Sequence, residues 1–190
     1  LGNVFHSFNN GKSWSKLCEN NFFYIRKIVI TTGSKRITKG NYTQLAKQTK
    51  VLIASKEGLF RVELINDHFR KIDTLLRKDI LDLQKSALSD EVLFVGVRKE
   101  GVLKTINSGQ HWDTILNWDL SRDTTSEMIK IALSGNRLLA KLGNKIFRND
   151  NNGTGNWTEI SPVFDDTGGS DIGYRGNYSG LVGEWNHCLA

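Results

Sequence analysis

The stretch Ser7-Phe8-Asn9-Asn10-Gly11-Lys12-Ser13-Trp14 returns in the same frame as Thr105-Ile106-Asn107-Ser108-Gly109-Gln110-His111-Trp112. Each copy has a hydroxyl residue, an Asn two positions on, a Gly two beyond that and a Trp after three more. A blurred third copy with one inserted residue lies in 149–157, where Asn151, Gly153 and Trp157 keep the frame. Counting Trp14, Phe69, Trp112 and Trp157 as one recurring position gives separations of 55, 43 and 45 residues. The apolar pairs upstream (Val4-Phe5, Leu59-Phe60, Val102-Leu103 and Ile146-Phe147) keep the same step.

Each unit also has the same internal order. Residues 51–55, 92–97 and 138–142 are β-rich runs, each followed by a Gly-containing turn and a second run at 59–62, 102–105 and 145–148. The first runs are apolar on both faces, as strands covered on both sides must be. A further strand is expected before each pair, at Ile25–Thr31, Ile80–Leu88 and Met128–Leu133. In the middle one, Leu75, Leu76, Ile80, Leu83 and Ala87 also fit a helical face. The first unit is longer than its neighbours, and the excess at Gly33–Thr49 reads as an inserted loop or a longer hairpin. A period of about 45 residues with several short strands is the mark of a β-propeller blade. The expected fold is all-β: a single propeller domain over 1–190, with units at 1–17 (partial), 22–73, 78–116, 126–161 and 170–190 (partial). Two solutions account for the partial units. Either both termini share one blade and close a four-bladed ring, or the chain is a fragment of a larger propeller. In the closed ring Cys18 and Cys188 would fall in one blade and could form a disulfide; otherwise they are two separate thiols.

Composition agrees with a folded, strand-rich chain. Hydrophobic residues make up 38% and charged residues 24%, which excludes the disordered class. Only Pro162 accompanies 18 Gly, so Gly and Asn must make the turns. No apolar run approaches the roughly 20 residues needed to span a bilayer. Leu1 opens the chain without a Met, a basic segment or an apolar run, so no signal peptide is expected and the natural N-terminus is expected upstream. Charge is uneven. Residues 1–56 hold ten basic and one acidic residue, and 57–190 hold sixteen basic and nineteen acidic. From Asn20 to Lys56 there are eight basic residues and no acidic one. Lys35, Arg36 and Lys39 sit in the over-long segment and are the candidate binding residues. A concentrated positive field attracts acidic protein surfaces or polyanionic glycans. Nucleic acid is a poorer fit, since no interleaved aromatics for base stacking and no known binding module are present.

The frame Ser7…Asn9…Gly11…Trp14 and its copy Thr105…Asn107…Gly109…Trp112 resemble the Asp-box, or bacterial neuraminidase repeat, in which Asn often replaces Asp. Sialidases, sortilin-type receptors, xyloglucanases and a class of photosystem assembly factors share that motif, as a hairpin between the third and fourth strands of a blade. The resemblance implies a structural role for Ser7, Asn9, Gly11, Trp14, Thr105, Asn107, Gly109, Trp112, Asn151, Gly153 and Trp157. Asn caps a turn, Gly allows a positive φ and Trp supplies an apolar plate between blades. It also implies an extracytoplasmic or secreted setting. Four Asn-x-Ser/Thr sequons, at Asn41, Asn152, Asn156 and Asn177, do not establish one in so Asn-rich a chain.

Catalytic signals are weak. A sialidase would bring an arginine triad, a Tyr/Glu pair, an Asp acid and an Arg-Ile-Pro type segment, and no such segment exists here. Tyr174, Arg175 and Glu184 could be assembled into a site only from the least repeat-like part of the chain. Asp165, Asp166, Asp171 and Glu184 are carboxylates in a Gly-rich stretch without EF-hand spacing. His6, His68, His111 and His187 show no metal-ligand spacing, and no cofactor motif appears. The expected function is therefore a non-catalytic protein- or glycan-binding or assembly module. The alternative is a glycoside hydrolase of the sialidase-like class, or a fragment of one.

Overall fold

The computed structural model describes residues 2–19, 22–118 and 128–160. Among them there is no helix. The two-stranded antiparallel hairpin β1 (Phe5–His6) and β2 (Ser15–Lys16) comes first. Three four-stranded antiparallel sheets follow, each made of four consecutive strands in order. The first contains β3 (Ile25–Lys39), β4 (Tyr42–Ser55), β5 (Leu59–Ile65) and β6 (His68–Leu76). The second contains β7 (Ile80–Lys85), β8 (Leu93–Val97), β9 (Gly101–Thr105) and β10 (Asp113–Asn117). The third contains β11 (Ile129–Ser134), β12 (Arg137–Leu142), β13 (Lys145–Asn149) and β14 (Thr158–Glu159).

Strict alternation sends the two faces of each inner strand to different neighbours. In β4, Val51 and Ile53 pack with Val4, Leu17, Cys18 and Phe22 of the N-terminal hairpin region, while Leu52 and Ala54 pack with β7–β9 of the second sheet. In β8, Leu93, Val95 and Val97 face the first sheet and Phe94 faces the third. The first strands lie side by side, with β7 packed against β3 on one side and β11 on the other. Close approach is built in at Gly96 of β8, where a Cβ would stand 2.5 Å from Ile129 Cγ2 of β11.

A single buried carboxylate joins all three first strands. Asp82 of β7 accepts from Lys27 Nζ of β3 at 3.0 Å and from the Ile131 backbone N–H of β11 at 2.8 Å. Asp79, just before β7, is bound by Arg26 and, at 2.7 Å, by Arg98 Nε. Burial alone would raise the Asp79 pKa, but these hydrogen bonds and charges hold it below its ordinary value.

Several expectations resolve at this level. The over-long Gly33–Thr49 segment is a longer hairpin, because β3 runs on to Lys39 and β4 begins at Tyr42. The segment that also fitted a helical face is the strand β7, whose sides are taken by neighbouring sheets. The unit expected at 170–190, Cys188 and the carboxylates from Asp165 to Glu184 lie outside the described residues. Cys18 is buried beside Val4, Leu17 and Phe22.

Candidate functional site

The repeated frame folds into the same loop three times. In the first copy the Ser7 hydroxyl donates to Asn9 Oδ1 at 3.0 Å and accepts from Gly11 N at 2.8 Å, and Asn9 Oδ1 also accepts from Ser13 N at 2.9 Å. In the second, Thr105 Oγ1 donates to Asn107 Oδ1 at 2.9 Å and accepts from Gly109 N at 3.0 Å, while His111 N donates to Asn107 Oδ1 at 2.9 Å. In the third, Asn149 stands where the hydroxyl residue was. Its Oδ1 accepts from Asn151 N at 2.9 Å and from Gly153 N at 2.8 Å. Sequence reasoning had named Asn151, Gly153 and Trp157 but not Asn149; the signal was its place two residues before Asn151. Each loop turns on a left-handed pair: Asn10-Gly11 (φ 55° and 82°), Ser108-Gly109 (59° and 88°) and Asn152-Gly153 (52° and 77°). These bonds stay within the loop.

The Trp of the frame behaves differently from copy to copy. Trp112 packs against the cluster between the first and second sheets, and its Nε1 donates to Leu75 O at 3.2 Å. Trp157 packs against the cluster between the second and third. Trp14, expected as a plate between blades, is 63% exposed and bonds only its own loop, at Gly11 O. The correction has a simple cause: no described sheet lies on that side of the hairpin. Trp14, Trp112 and Trp157 stand immediately before β2, β10 and β14.

The feature that departs from the repeat is the β3–β4 hairpin. β5 accompanies β4 only as far as the Gln48↔Ile65 pair. Beyond it, β3 and β4 continue alone from Ser34↔Lys47 to Lys39↔Tyr42, an arm of roughly 17 Å at the usual strand rise. The turn is the two-residue Gly40-Asn41, with Gly40 at φ 62°, which the primed hairpin turns favour. The arm carries Tyr42, 84% exposed, and Leu45, 69% exposed.

The three candidate binding residues all lie on this arm but not on one face. Directly paired residues share a face, so Lys35, Lys39 and Tyr42 are on one side and Arg36 and Leu45 on the other. Nor are their charges equivalent. Lys35 Nζ is 2.9 Å from Glu63 Oε1, which also accepts from Gln48 Nε2. Burial would raise the Glu63 pKa. The hydrogen bonds from Lys35 and Gln48, with the charges of Lys35 and Lys71, hold it below its ordinary value. Lys47 Nζ pairs with Asp67 Oδ1 at 2.9 Å. Arg26 and Lys27 are spent between sheets, on Asp79 and Asp82. Of the basic run read in the sequence, Arg36, Lys39, Lys50 and Lys56 remain without an ion pair among the described residues, and the Lys56 amine lies over the Tyr24 ring, 5.5 Å from its centroid. Sequence reasoning missed Tyr42 and Leu45, whose relevance rests on where the arm parts from β5, and counted Lys50 only among the basic residues backing the three candidates.

Among the described residues no group of three or more His, Cys, Asp or Glu could hold a metal ion. No described helix is long and apolar enough to cross a membrane. No protein-family model matches the chain, and no curated protein matches it.

Proposed function

We propose that the chain is a non-catalytic β-propeller module of the Asp-box kind, which binds an acidic protein surface or a glycan through the arm at 34–47. Three meander sheets, stacked in chain order with their first strands adjacent, support the propeller arrangement, as does the loop that recurs before each fourth strand. Under this reading the β1–β2 hairpin is the outer half of a blade, either completed by residues beyond 160 in a four-bladed ring or belonging to a larger propeller. The Asp-box resemblance supports an extracytoplasmic setting.

One observation carries the binding assignment: a two-stranded ribbon leaves its sheet and presents unpaired Arg36 and Lys39 beside exposed Tyr42 and Leu45. A free ribbon of this kind has no core of its own and gains stability when a partner covers it. Exposed cations with adjacent large apolar side chains fit a polyanionic partner that also offers apolar contact. The test is binding of the whole chain to poly-L-glutamate and to heparin across a salt series. R36A/K39A should lower affinity for one or both by about tenfold and flatten the salt dependence. Unchanged binding would remove the arm from the function, and turnover of sialosides or β-glucans by the purified chain would overturn the non-catalytic assignment.

A further inference from the structure

One contact between successive sheets is made twice in the same way. Between the first and second sheets, Arg61 Nη1 of β5 donates to Ser108 O of the second box loop at 3.3 Å. A Cβ on Gly109 of that loop would stand 3.1 Å from Leu75 Cβ of β6. Between the second and third sheets, Lys104 Nζ of β9 donates to Asn152 O at 2.7 Å, and a Cβ on Gly153 would stand 2.6 Å from Ile115 Cδ1 of β10. The box loop of the later sheet is thus a plug. Its socket is a third-strand cation with a fourth-strand aliphatic side chain on the earlier sheet. Leu103 and Phe147, two residues before their loops, pack into the clusters shared with the preceding sheet and complete the plug.

The N-terminal hairpin carries a third plug, with no socket on it among the described residues. Its loop has the same internal bonds and the same left-handed pair at Asn10-Gly11. A Cβ on Gly11 would meet only its own Trp14, at 3.9 Å. Trp14 stands mostly in solvent, and Phe5, in the place of Leu103 and Phe147, is 54% exposed. The third sheet carries the converse, a socket with no plug among the described residues. Leu75 and Ile115 stand two residues after Asp73 and Asp113, the direct pairing partners of Arg61 and Lys104. Arg148 of β13 is paired with Thr158, and two residues on comes Ile160, 38% exposed. Arg148 holds Asp150 as Arg61 holds Asp73, a pairing that leaves Arg61 able to reach the next loop.

We infer that the N-terminal hairpin of one molecule docks on β13 and β14 of a second copy, head to tail. Asn10 O accepts from Arg148, Gly11 lies against Ile160, and Phe5 and Trp14 lose their exposure. The partner is a second copy because one molecule shows both halves open at once. Its hairpin is held on the first sheet through Val4, Leu17, Cys18 and Phe22, while the socket belongs to the third. A two-stranded plug reaches the third and fourth strands of a sheet, so Lys141 on β12 lies outside this contact. Plug and socket are different surfaces, so each pair formed leaves one of each unused and association runs past the dimer.

The experiment is sedimentation velocity on the whole chain from about 1 µM to about 1 mM, because so small a contact binds weakly. The average mass of the parent should rise with concentration. Trp14→Ser spoils the plug and Ile160→Glu the socket, both at exposed positions, and circular dichroism confirms that each variant is folded. Each variant alone should associate at least about tenfold more weakly than the parent. An equal mixture of the two should form a dimer and stop there, since only one sound plug and one sound socket remain. The arm takes no part, so R36A/K39A should associate like the parent, and loss of acidic-partner binding there bears on the arm alone. A parent that stays monomeric throughout would overturn the second copy as the occupant, leaving closure within one chain or another partner. Association that survives in both variants would place the contact on another surface. A mixture that stays monomeric while the parent associates would refute the head-to-tail arrangement.

Discussion

Asp82→Ala should be the most destabilising single change among the polar residues of the three sheets. Asp82 is 2% exposed and holds three donors: Lys27 Nζ at 3.0 Å, its neighbour Leu83 N at 2.8 Å and Ile131 N at 2.8 Å. Removing the carboxylate strands the Ile131 N–H in a fully buried setting, at a cost of about 1–3 kcal/mol. Lys27 is about a quarter exposed and can turn to water, so its lost pair adds only about 1 kcal/mol. Together these give about 2–4 kcal/mol, a large share of the 5–15 kcal/mol by which domains are ordinarily stable. With a urea m-value of about 2 kcal/mol/M, the midpoint should fall by about 1–2 M. Asp82→Asn keeps one acceptor oxygen and should lose about half as much. Lys27→Met should lose about 1 kcal/mol. The assay is equilibrium urea unfolding by tryptophan fluorescence, with the double variant Lys27→Met/Asp82→Ala to isolate the coupling. A shift below about 1 kcal/mol for Asp82→Ala, or one no larger than that of Lys27→Met, would refute the view that one carboxylate ties β3, β7 and β11 together. Because the arm is rooted on β3, the Ala variant should also bind poly-L-glutamate less tightly at temperatures where it is still folded.

Three other outcomes follow from the same geometry. Lys141 is 7% exposed without a partner among the described residues, and burial lowers its pKa; the unfolded chain therefore holds that proton more tightly, and stability should rise as pH climbs from the lowered value toward 10.5. Lys141→Met should remove this slope and add about 1–2 kcal/mol at pH 7, measured by urea unfolding across that range. Glu63 has a folded pKa below its ordinary 4.5, so its contribution is complete above that value and is lost as pH falls through the lowered one; Glu63→Gln should flatten that part of an acid titration followed by circular dichroism. Gly153→Ala should cost about 2–3 kcal/mol, since its φ is 77° and a Cβ would lie 2.6 Å from Ile115 Cδ1. Gly155→Ala, with a similar φ of 76° but open space around it, should cost only about 1 kcal/mol by thermal or urea melting.

What the sequence made legible was what the chain repeats locally. The box loops close through bonds between residues two and four apart, so their residue types had to recur in a fixed frame. Strand runs such as 92–97 were readable because both faces are covered and no polar alternation interrupts them. What could not be read depended on distant partners. Lys35 looked like a free surface cation, yet its carboxylate is 28 residues away on β5. Arg26 and Lys27 belonged to the same basic run and proved to be ties to the second sheet. Trp14 matched its copies in every local respect but lacks the neighbouring sheet that covers Trp112. The arm itself was foreseen only as excess length, because where β4 outruns β5 is a matter of pairing register, which composition does not encode.

The repeat also shows how successive sheets recognise one another, and where that recognition changes. Arg61, Lys104 and Arg148 occupy the same place on β5, β9 and β13. Arg61 donates to Ser108 O in the loop of the second sheet, and Lys104 donates to Asn152 O in the loop of the third, at 2.7 Å. Both acceptors belong to the left-handed residue before the loop Gly, so that conformation turns a carbonyl toward the preceding sheet as well as closing the hairpin. Arg148, with no following loop among the described residues, pairs with its own Asp150 at 3.1 Å. The second strands carry a matching position. Ala54 and Gly96 are small where the next sheet comes close, and Lys141 stands in the same register on β12. Alternation places Lys141 on the face of the third sheet turned away from the second, opposite Leu138, Ala140 and Leu142. The first two sheet-to-sheet contacts are therefore of one kind, small residue plus cation-to-carbonyl bond, and the outward face of the third sheet is of another. Lys141 is already buried on that face, so a close apolar approach like that at Gly96 is not repeated there, and an acceptor brought to it, best a carboxylate, would offset the cost of the buried ammonium.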